Sequence, residues 1–215
     1  FFAMNMVFVI ILVATIAVSY YGFQNTTFFE RYKFNVGAVQ KGDYIRLVSS
    51  GFLHADWQHL ILNMVSLFFF QGLLIRSIGS VLFLVVYFGA MIAGSLFSWY
   101  LYQRQWYYSA IGASGAVSGI IFAAIALNPT GITVNFLPGW LFGAFYFAYS
   151  AFMMFNPSEG DNIGHAAHLG GAVFGLLVAV LYAPEAVINH AFYIGVMVLP
   201  LGYIVYQLKN NKKNY

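Results

Sequence analysis

The chain has 215 residues, of which 61% are hydrophobic and only 7% are charged. A soluble globular domain carries roughly 25% charged residues, so these side chains cannot build a water-facing surface of that kind. The net charge is only +3, and the one cluster of basic residues, at 209–213, is interpreted as a solvated tail beside the membrane rather than a nucleic-acid footprint. The lack of cysteine excludes disulfides, thiolate metal sites and cysteine nucleophiles. We therefore expect an all-α polytopic membrane protein embedded in a lipid bilayer.

Seven apolar segments are predicted to cross the membrane, for which a helix needs roughly 20 residues. They are 4–22, 57–74, 81–102, 114–127, 136–155, 165–183 and 188–208. Residues 1–20 lack the basic region and cleavage site of a signal peptide, so the first segment is interpreted as a span. Pro200 is expected to bend the seventh. We expect a single domain over 1–215, with a six-helix core at about 4–183 and an extra helix at about 188–208.

The connections between the spans differ in kind. Residues 23–56 form a long connection that is expected to lie in the membrane interface, partly as short amphipathic helices. Residues 128–131 predict a tight turn, and the polar, glycine-containing stretch 156–164 predicts a mobile loop.

The fourth span is too short to cross the bilayer. Its 14 residues make a helix of about 21 Å, against a hydrocarbon core of about 30 Å. Irregular backbone at membrane depth is tolerated only beside protein or water. We therefore expect residues 108–113 to dip into the bilayer and to bring Ser114 to the floor of a water-filled cavity.

Ser114 and His168 could carry chemistry inside the membrane, where polar side chains are costly and often functional. A serine hydroxyl becomes a good nucleophile when a neighbouring base removes its proton. Each residue begins a row of small residues on one helical face, namely Gly115, Gly119 and Ala123 on span four and Gly171, Ala172 and Gly175 on span six. Packing of these rows would place the imidazole within hydrogen-bond reach of the hydroxyl. The alternatives are a serine that caps its helix and a histidine that only bridges two helices.

His59 and Asn63 lie four residues apart on the second span and share a helical face. Both side chains can donate hydrogen bonds to an oxyanion. The alternative is a polar pair that joins this span to a neighbour. Because no acidic residue lies within spans two to six, the sequence favours a Ser–His dyad over a triad.

Three motifs in this order resemble the rhomboid family of intramembrane serine proteases over about 44–183. They are His-x-x-x-Asn at 59–63, Gly-x-Ser-Gly at 112–115 and Ala-His-x-x-Gly at 167–171. The resemblance implies Ser114 as nucleophile, His168 as general base, and His59, Asn63 and the Ser114 amide as the oxyanion hole. It implies transmembrane protein segments as substrates, cleaved near the outer interface through an acyl-enzyme, with no metal or cofactor. It leaves the oligomeric state open.

The sequence departs from the family pattern at three places, one of which is 74–77, where the family often carries a glutamate and this chain has none. Ile45, before Arg46, replaces a family tryptophan, and Ser118 stands where some members carry a tyrosine that stacks on the histidine. The sequence therefore leaves open what holds His168. His54 matches a further family histidine and is interpreted as structural.

The membrane orientation is predicted differently by two arguments. The resemblance implies an integral protein of the cell (inner) membrane whose active site faces the extracytoplasmic side. The positive-inside rule favours the reverse, because that orientation leaves most basic residues outside. We expect the orientation that the resemblance implies.

Two other functions are compatible with the sequence. One is a rhomboid-like protein that binds membrane clients without cleaving them. The other is a metal or proton transporter in which His54, His59, His165 and His168 converge, although the spans offer no carboxylate or thiolate ligand.

Overall fold

The computed structural model describes residues 5–157 and 163–210, and helices dominate it. The helices are α1 Met6–Gln24, α2 Thr26–Tyr32, α3 Val36–Gln40, α4 Arg46–Ser49, α5 Trp57–Leu101, α6 Ser114–Leu127, α7 Gly139–Phe155, α8 His165–Tyr182, α9 Pro184–Asn189, α10 Ala191–Val198 and α11 Leu201–Asn210. A 3-10 turn covers Ser50–Phe52. In these two ranges, α1, α5, α8 and the stretch Ala191–Asn210 are long and apolar enough to cross a membrane, while α6 and α7 are shorter. The predicted all-α polytopic membrane class is confirmed.

The 45-residue helix α5 is divided into two membrane-spanning arms at Gly79. Gly79 has φ +78°, a conformation that glycine adopts without steric cost. Asn5 Nδ2 donates to Ser80 Oγ at 3.1 Å, whereas Ser95 Oγ donates to the Leu47 carbonyl at the other end of the bundle. The arms 57–78 and 80–101 therefore form a hairpin, and the second span continues four residues beyond its predicted end.

Helix α6 lies at the centre of the bundle, between α5 and α8, and most of its residues are buried. A Cβ added to Gly171 would lie 2.0 Å from the Gly115 carbonyl oxygen, and one added to Gly175 would lie 2.0 Å from that of Gly119. Backbone contact this close requires glycine on α8. The predicted packing of the two small-residue rows is confirmed.

The long connection after α1 forms a cap over one end of the bundle. It contains α2, α3, α4 and strand β1 Phe34–Asn35, which pairs antiparallel with β2 Ser109–Ala110. The Arg46 guanidinium is nearly buried and donates to the backbone carbonyls of Glu30 and Lys33. The short helices were predicted, but the strand pairing was not.

The predicted fifth span begins three residues later than expected. Strands β3 Thr133–Val134 and β4 Leu137–Pro138 form a hairpin whose turn residues, Asn135 and Phe136, have positive φ. These φ values match the tight turns that suit the twist of a hairpin. Helix α7 therefore starts only at Gly139.

The seventh span packs against α7. Its helices α10 and α11 are separated at 199–200, where the bend at Pro200 was expected. The rings of Trp140 and Tyr193 lie 5.7 Å apart, and a Cβ on Gly143 would lie 2.5 Å from the Met197 sulfur. Helix α7 is thus held between the core and the C-terminal helices.

Candidate active site

The segment before Ser114 is held by hydrogen bonds from its backbone N–H groups to the long connection that follows α1. Gly112 has φ +110°, and its N–H donates to the Ser50 carbonyl at 3.0 Å. The next N–H, that of Ala113, donates to His54 Nε2 at 3.3 Å. The chain turns at Gly112 and enters α6, so that Ser114 is the first helical residue. Because the first N–H groups of a helix lack intrahelical partners, they are available to an anion.

His54 is a buried structural residue that holds this segment. Because its Nε2 accepts from Ala113, the proton of the neutral ring lies on Nδ1, which is 2.9 Å from Ser19 Oγ. The Ser19 hydroxyl donates in turn to the Phe52 carbonyl at 2.8 Å. Burial lowers the pKa of His54 to about 3. The neutral ring therefore links α1 to the residue that precedes Ser114, as the structural interpretation of His54 expects.

Ser114 and His168 meet across the α6–α8 contact. His168 lies in the first turn of α8, and its Nε2 is 2.7 Å from Ser114 Oγ. Both side chains are half-buried. This distance is within the range of a hydrogen bond, so the ring can accept the hydroxyl proton.

His59 and Asn63 lie on the first arm of α5, beside the same segment. Asp56 caps this helix by accepting from the His59 N–H at 2.7 Å. The Ala55 N–H points to His59 Nδ1 at 3.5 Å, an arrangement that leaves the ring proton on Nε2. A Cβ added to Gly112 would lie 2.7 Å from His59 Nε2 and 3.7 Å from Ser114 Oγ. Only glycine leaves this gap open between the two side chains.

Asn63 is buried and donates through Nδ2 to the His59 carbonyl at 3.0 Å. An amide nitrogen carries two hydrogens, so this bond uses one of them. The second hydrogen of Asn63 Nδ2 can donate toward the site.

A cavity of about 850 Å³ joins the predicted site residues. It is lined by Ser114, His168, His59 and Asn63 and by both residues of β2. This volume is large enough for a peptide segment and water.

Four of the five histidines form two pairs. The His54 and His59 rings lie 4.8 Å apart, and those of His165 and His168 lie 6.2 Å apart. Within the two described ranges, no three His, Cys, Asp or Glu side chains are grouped so that they could hold a metal ion. His165 is buried edge-on against Tyr149. The alternative of converging histidines gains no support from this arrangement.

Tyr146 of α7 is a neighbour of His168 that the sequence did not single out. The two rings are stacked at 6.2 Å between centroids with an interplanar angle of 26°. The Tyr146 hydroxyl is 2.6 Å from Ser118 Oγ, one turn along α6 from Ser114. An aromatic residue on a lipid-facing helix resembles many others in this sequence, so no local signal identifies it.

Comparison with known proteins places these features in a wider group. A family model described as the Rhomboid domain matches residues 41–185. The Bacillus subtilis protein named "Putative rhomboid protease YdcA" is 31% identical over 148 residues, which cover 69% of this chain and 71% of that protein. The Saccharomyces cerevisiae "Rhomboid protein 1, mitochondrial" is 34% identical over 143 residues, covering 62% of this chain and 40% of that protein. The human "Presenilin-associated rhomboid-like protein, mitochondrial" is 30% identical over 137 residues, covering 60% and 36%. The chain thus spans less than half the length of the two mitochondrial relatives.

Proposed function

The chain belongs to the rhomboid family, and on this premise we propose that it is an intramembrane serine endopeptidase acting on transmembrane protein segments. The observation that carries the proposal is the 2.7 Å distance between Ser114 Oγ and His168 Nε2, at the wall of a cavity of about 850 Å³. A nucleophile, a base and anion-stabilising donors around one accessible space are what acyl transfer requires.

In the proposed acylation step, His168 Nε2 accepts the Ser114 hydroxyl proton while Oγ bonds to the carbonyl carbon of the scissile peptide. His59, Asn63 and the Ser114 N–H would donate to the negative carbonyl oxygen. The imidazolium then gives its proton to the amide nitrogen as the C–N bond breaks, which leaves an ester on Ser114. A water molecule, deprotonated by His168, hydrolyses the ester and releases a carboxylic acid and the free hydroxyl.

We further propose that 1–215 is one rhomboid-like domain and that its cavity faces the extracytoplasmic side of a cell membrane. Residue 103 lies at the cavity end of the bundle and residue 130 in the turn at the opposite end, and both are outside the spanning helices. Because the chain has no cysteine, Gln103→Cys and Thr130→Cys can each be labelled alone. A membrane-impermeant maleimide applied to intact cells should modify only the cysteine at 103. Modification of only the cysteine at 130 would show that the membrane orientation is the opposite of the proposed one.

The catalytic proposal is tested by active-site labelling and by cleavage of a tagged single-span substrate in detergent or liposomes. Wild type should react with a fluorophosphonate probe and cleave the substrate, whereas Ser114→Ala and His168→Ala should do neither. Ser77→Ala is the matched control, because that hydroxyl is exposed near Gly79 and donates to the Leu73 carbonyl. Labelling and cleavage that survive Ser114→Ala would show that Ser114 is not the nucleophile. Folded wild type that neither labels nor cleaves would remove the protease proposal and favour a client-binding protein.

A further inference from the structure

The side chain of Tyr146 connects the three helices around the proposed base. Its ring covers one face of the His168 imidazole on α8, at 6.2 Å between centroids. Its hydroxyl is 2.6 Å from the hydroxyl of Ser118, a nearly buried residue of α6. The ring itself is carried by α7.

The position of the Tyr146 ring is determined by several contacts. It packs on Phe122 of α6 at 5.1 Å between centroids and on Phe142 of its own helix at 6.0 Å. The hydroxyl is the only polar atom of the side chain, and Ser118 can either donate to it or accept from it. A ring held on its faces by aromatic packing and at its tip by a hydrogen bond has little freedom to rotate.

We propose that Tyr146 is a positioning residue for His168 and that it makes the alignment of the base depend on the docking of α7. This inference rests on the proposed protease function. A histidine at a helix start can rotate about two side-chain torsions, and only some of these rotamers direct Nε2 at Ser114 Oγ. The stacked ring blocks rotation of the imidazole toward α7 and so favours the orientation with the 2.7 Å contact.

The link to α7 has a mechanical consequence. Tyr146 is not part of α6 or α8, which are joined by glycine contacts. A movement of α7 away from the core would withdraw the ring from His168 and break the bond to Ser118. The base is then fully aligned only while α7 is docked.

The first test is steady-state cleavage of the tagged substrate by single and double variants. Tyr146→Leu removes the stacked ring and should lower kcat by roughly 10²-fold, the effect of about 1 Å of misalignment, with KM within about threefold of wild type. Tyr146→Phe keeps the ring and should retain kcat within about tenfold, since it loses one neutral hydrogen bond. Ser118→Ala breaks the same bond, so it should match Tyr146→Phe, and the double variant should be no worse than either.

The matched control is Phe145→Leu, which removes an exposed aromatic ring from the adjacent position of α7. It should keep the kcat of wild type. A folded Tyr146→Leu protein with wild-type kcat would overturn the proposal. So would an equal loss of kcat in Phe145→Leu, because the effect would then be a general one on α7.

A second measurement does not depend on activity. In protein with labelled histidine, the His168 ring protons, assigned by loss of their signals in His168→Ala, should show an upfield ring-current shift. The shift should persist in Tyr146→Phe and disappear in Tyr146→Leu. Absence of the shift in wild type would overturn the positioning proposal even in an active enzyme. A normal shift in a protein that neither labels nor cleaves would instead remove the protease function and leave the stacking intact.

Discussion

Gly171→Ala places a methyl group directly in the contact that brings Ser114 and His168 together. The added Cβ would lie 2.0 Å from the Gly115 carbonyl oxygen and 2.7 Å from its carbonyl carbon. Ordinary contact begins at 3.4 Å, and both neighbouring atoms belong to the backbone. Helices α6 and α8 must therefore separate locally by about 1.4 Å, because no side chain can rotate away.

This separation occurs at the level of the proposed dyad. Gly115 directly follows Ser114, and Gly171 lies one helical turn after His168. Because the local displacement includes the turns that carry the dyad, the 2.7 Å Oγ–Nε2 distance becomes about 4 Å, which is too long for a hydrogen bond. A misplacement of about 1 Å can cost roughly 10²-fold in rate, so we expect at least that loss in kcat/KM. Overpacking should also lower the free energy of unfolding by about 1–3 kcal/mol.

A matched variant separates misalignment from loss of stability. Gly175→Ala creates the same 2.0 Å clash, with the Gly119 carbonyl, but lies seven residues from His168, about 10 Å along the helix. It should lower the thermal unfolding midpoint in detergent as much as Gly171→Ala and lose much less activity per folded molecule. Gly195→Ala, where the Cβ meets no atom within 4 Å, should change neither quantity. Wild-type activity in folded Gly171→Ala, or equal losses in both clashing variants, would refute the reasoning.

Three further predictions concern stability in detergent. Burial lowers the pKa of His54 to about 3, so the ring stays neutral in the folded state while the unfolded chain binds a proton below about pH 6.5. The free energy of unfolding should therefore fall from about pH 6.5 toward pH 3 and stay constant above pH 6.5. His54→Gln should show a shallower slope with pH by thermal unfolding, and an unchanged slope would contradict this prediction. Arg46→Lys loses the guanidinium bonds to the backbone carbonyls of Glu30 and Lys33 and should cost about 1–3 kcal/mol in a denaturant titration. The exposed control Lys41→Gln should cause no change. The side-chain amide of Gln71 is fully buried and has no hydrogen-bond partner in the described ranges. Gln71→Leu should therefore be neutral or raise the free energy of unfolding by up to about 3 kcal/mol. A decrease of more than about 1 kcal/mol would contradict this prediction.

The sequence was sufficient for the membrane class and for most helix limits. With only 7% charged residues, the polar stretches that remain are the connections, and apolar length then indicates the spans. Helix α6 was predicted at its observed limits, because Gly112 marks its start and Pro129 its end. The predicted helix limits were wrong where apolar residues lie in a turn instead of a helix, as at Phe136. Hydrophobicity alone does not distinguish a membrane helix from an apolar hairpin.

The approach of Ser114 to His168 was also predictable from the sequence. Glycine and alanine repeat at helical spacing after both residues, and such rows permit close helix packing in lipid. The pattern predicts which faces of α6 and α8 meet and at what depth in the membrane. The chemical roles of these residues stay a proposal, for which the labelling and cleavage experiments are the test.

Tertiary structure alone decided what surrounds the base and how the outer elements pack. Tyr146 is one of many aromatic residues on α7, and its contact with His168 depends on how α7 rotates and docks against α6 and α8. The pairing of Phe34 with Ala110 and the packing of the seventh span against α7 are of the same kind. Helical periodicity and rows of glycine are patterns within short stretches of sequence. These contacts join distant segments, whose relative positions are set only when the whole bundle packs.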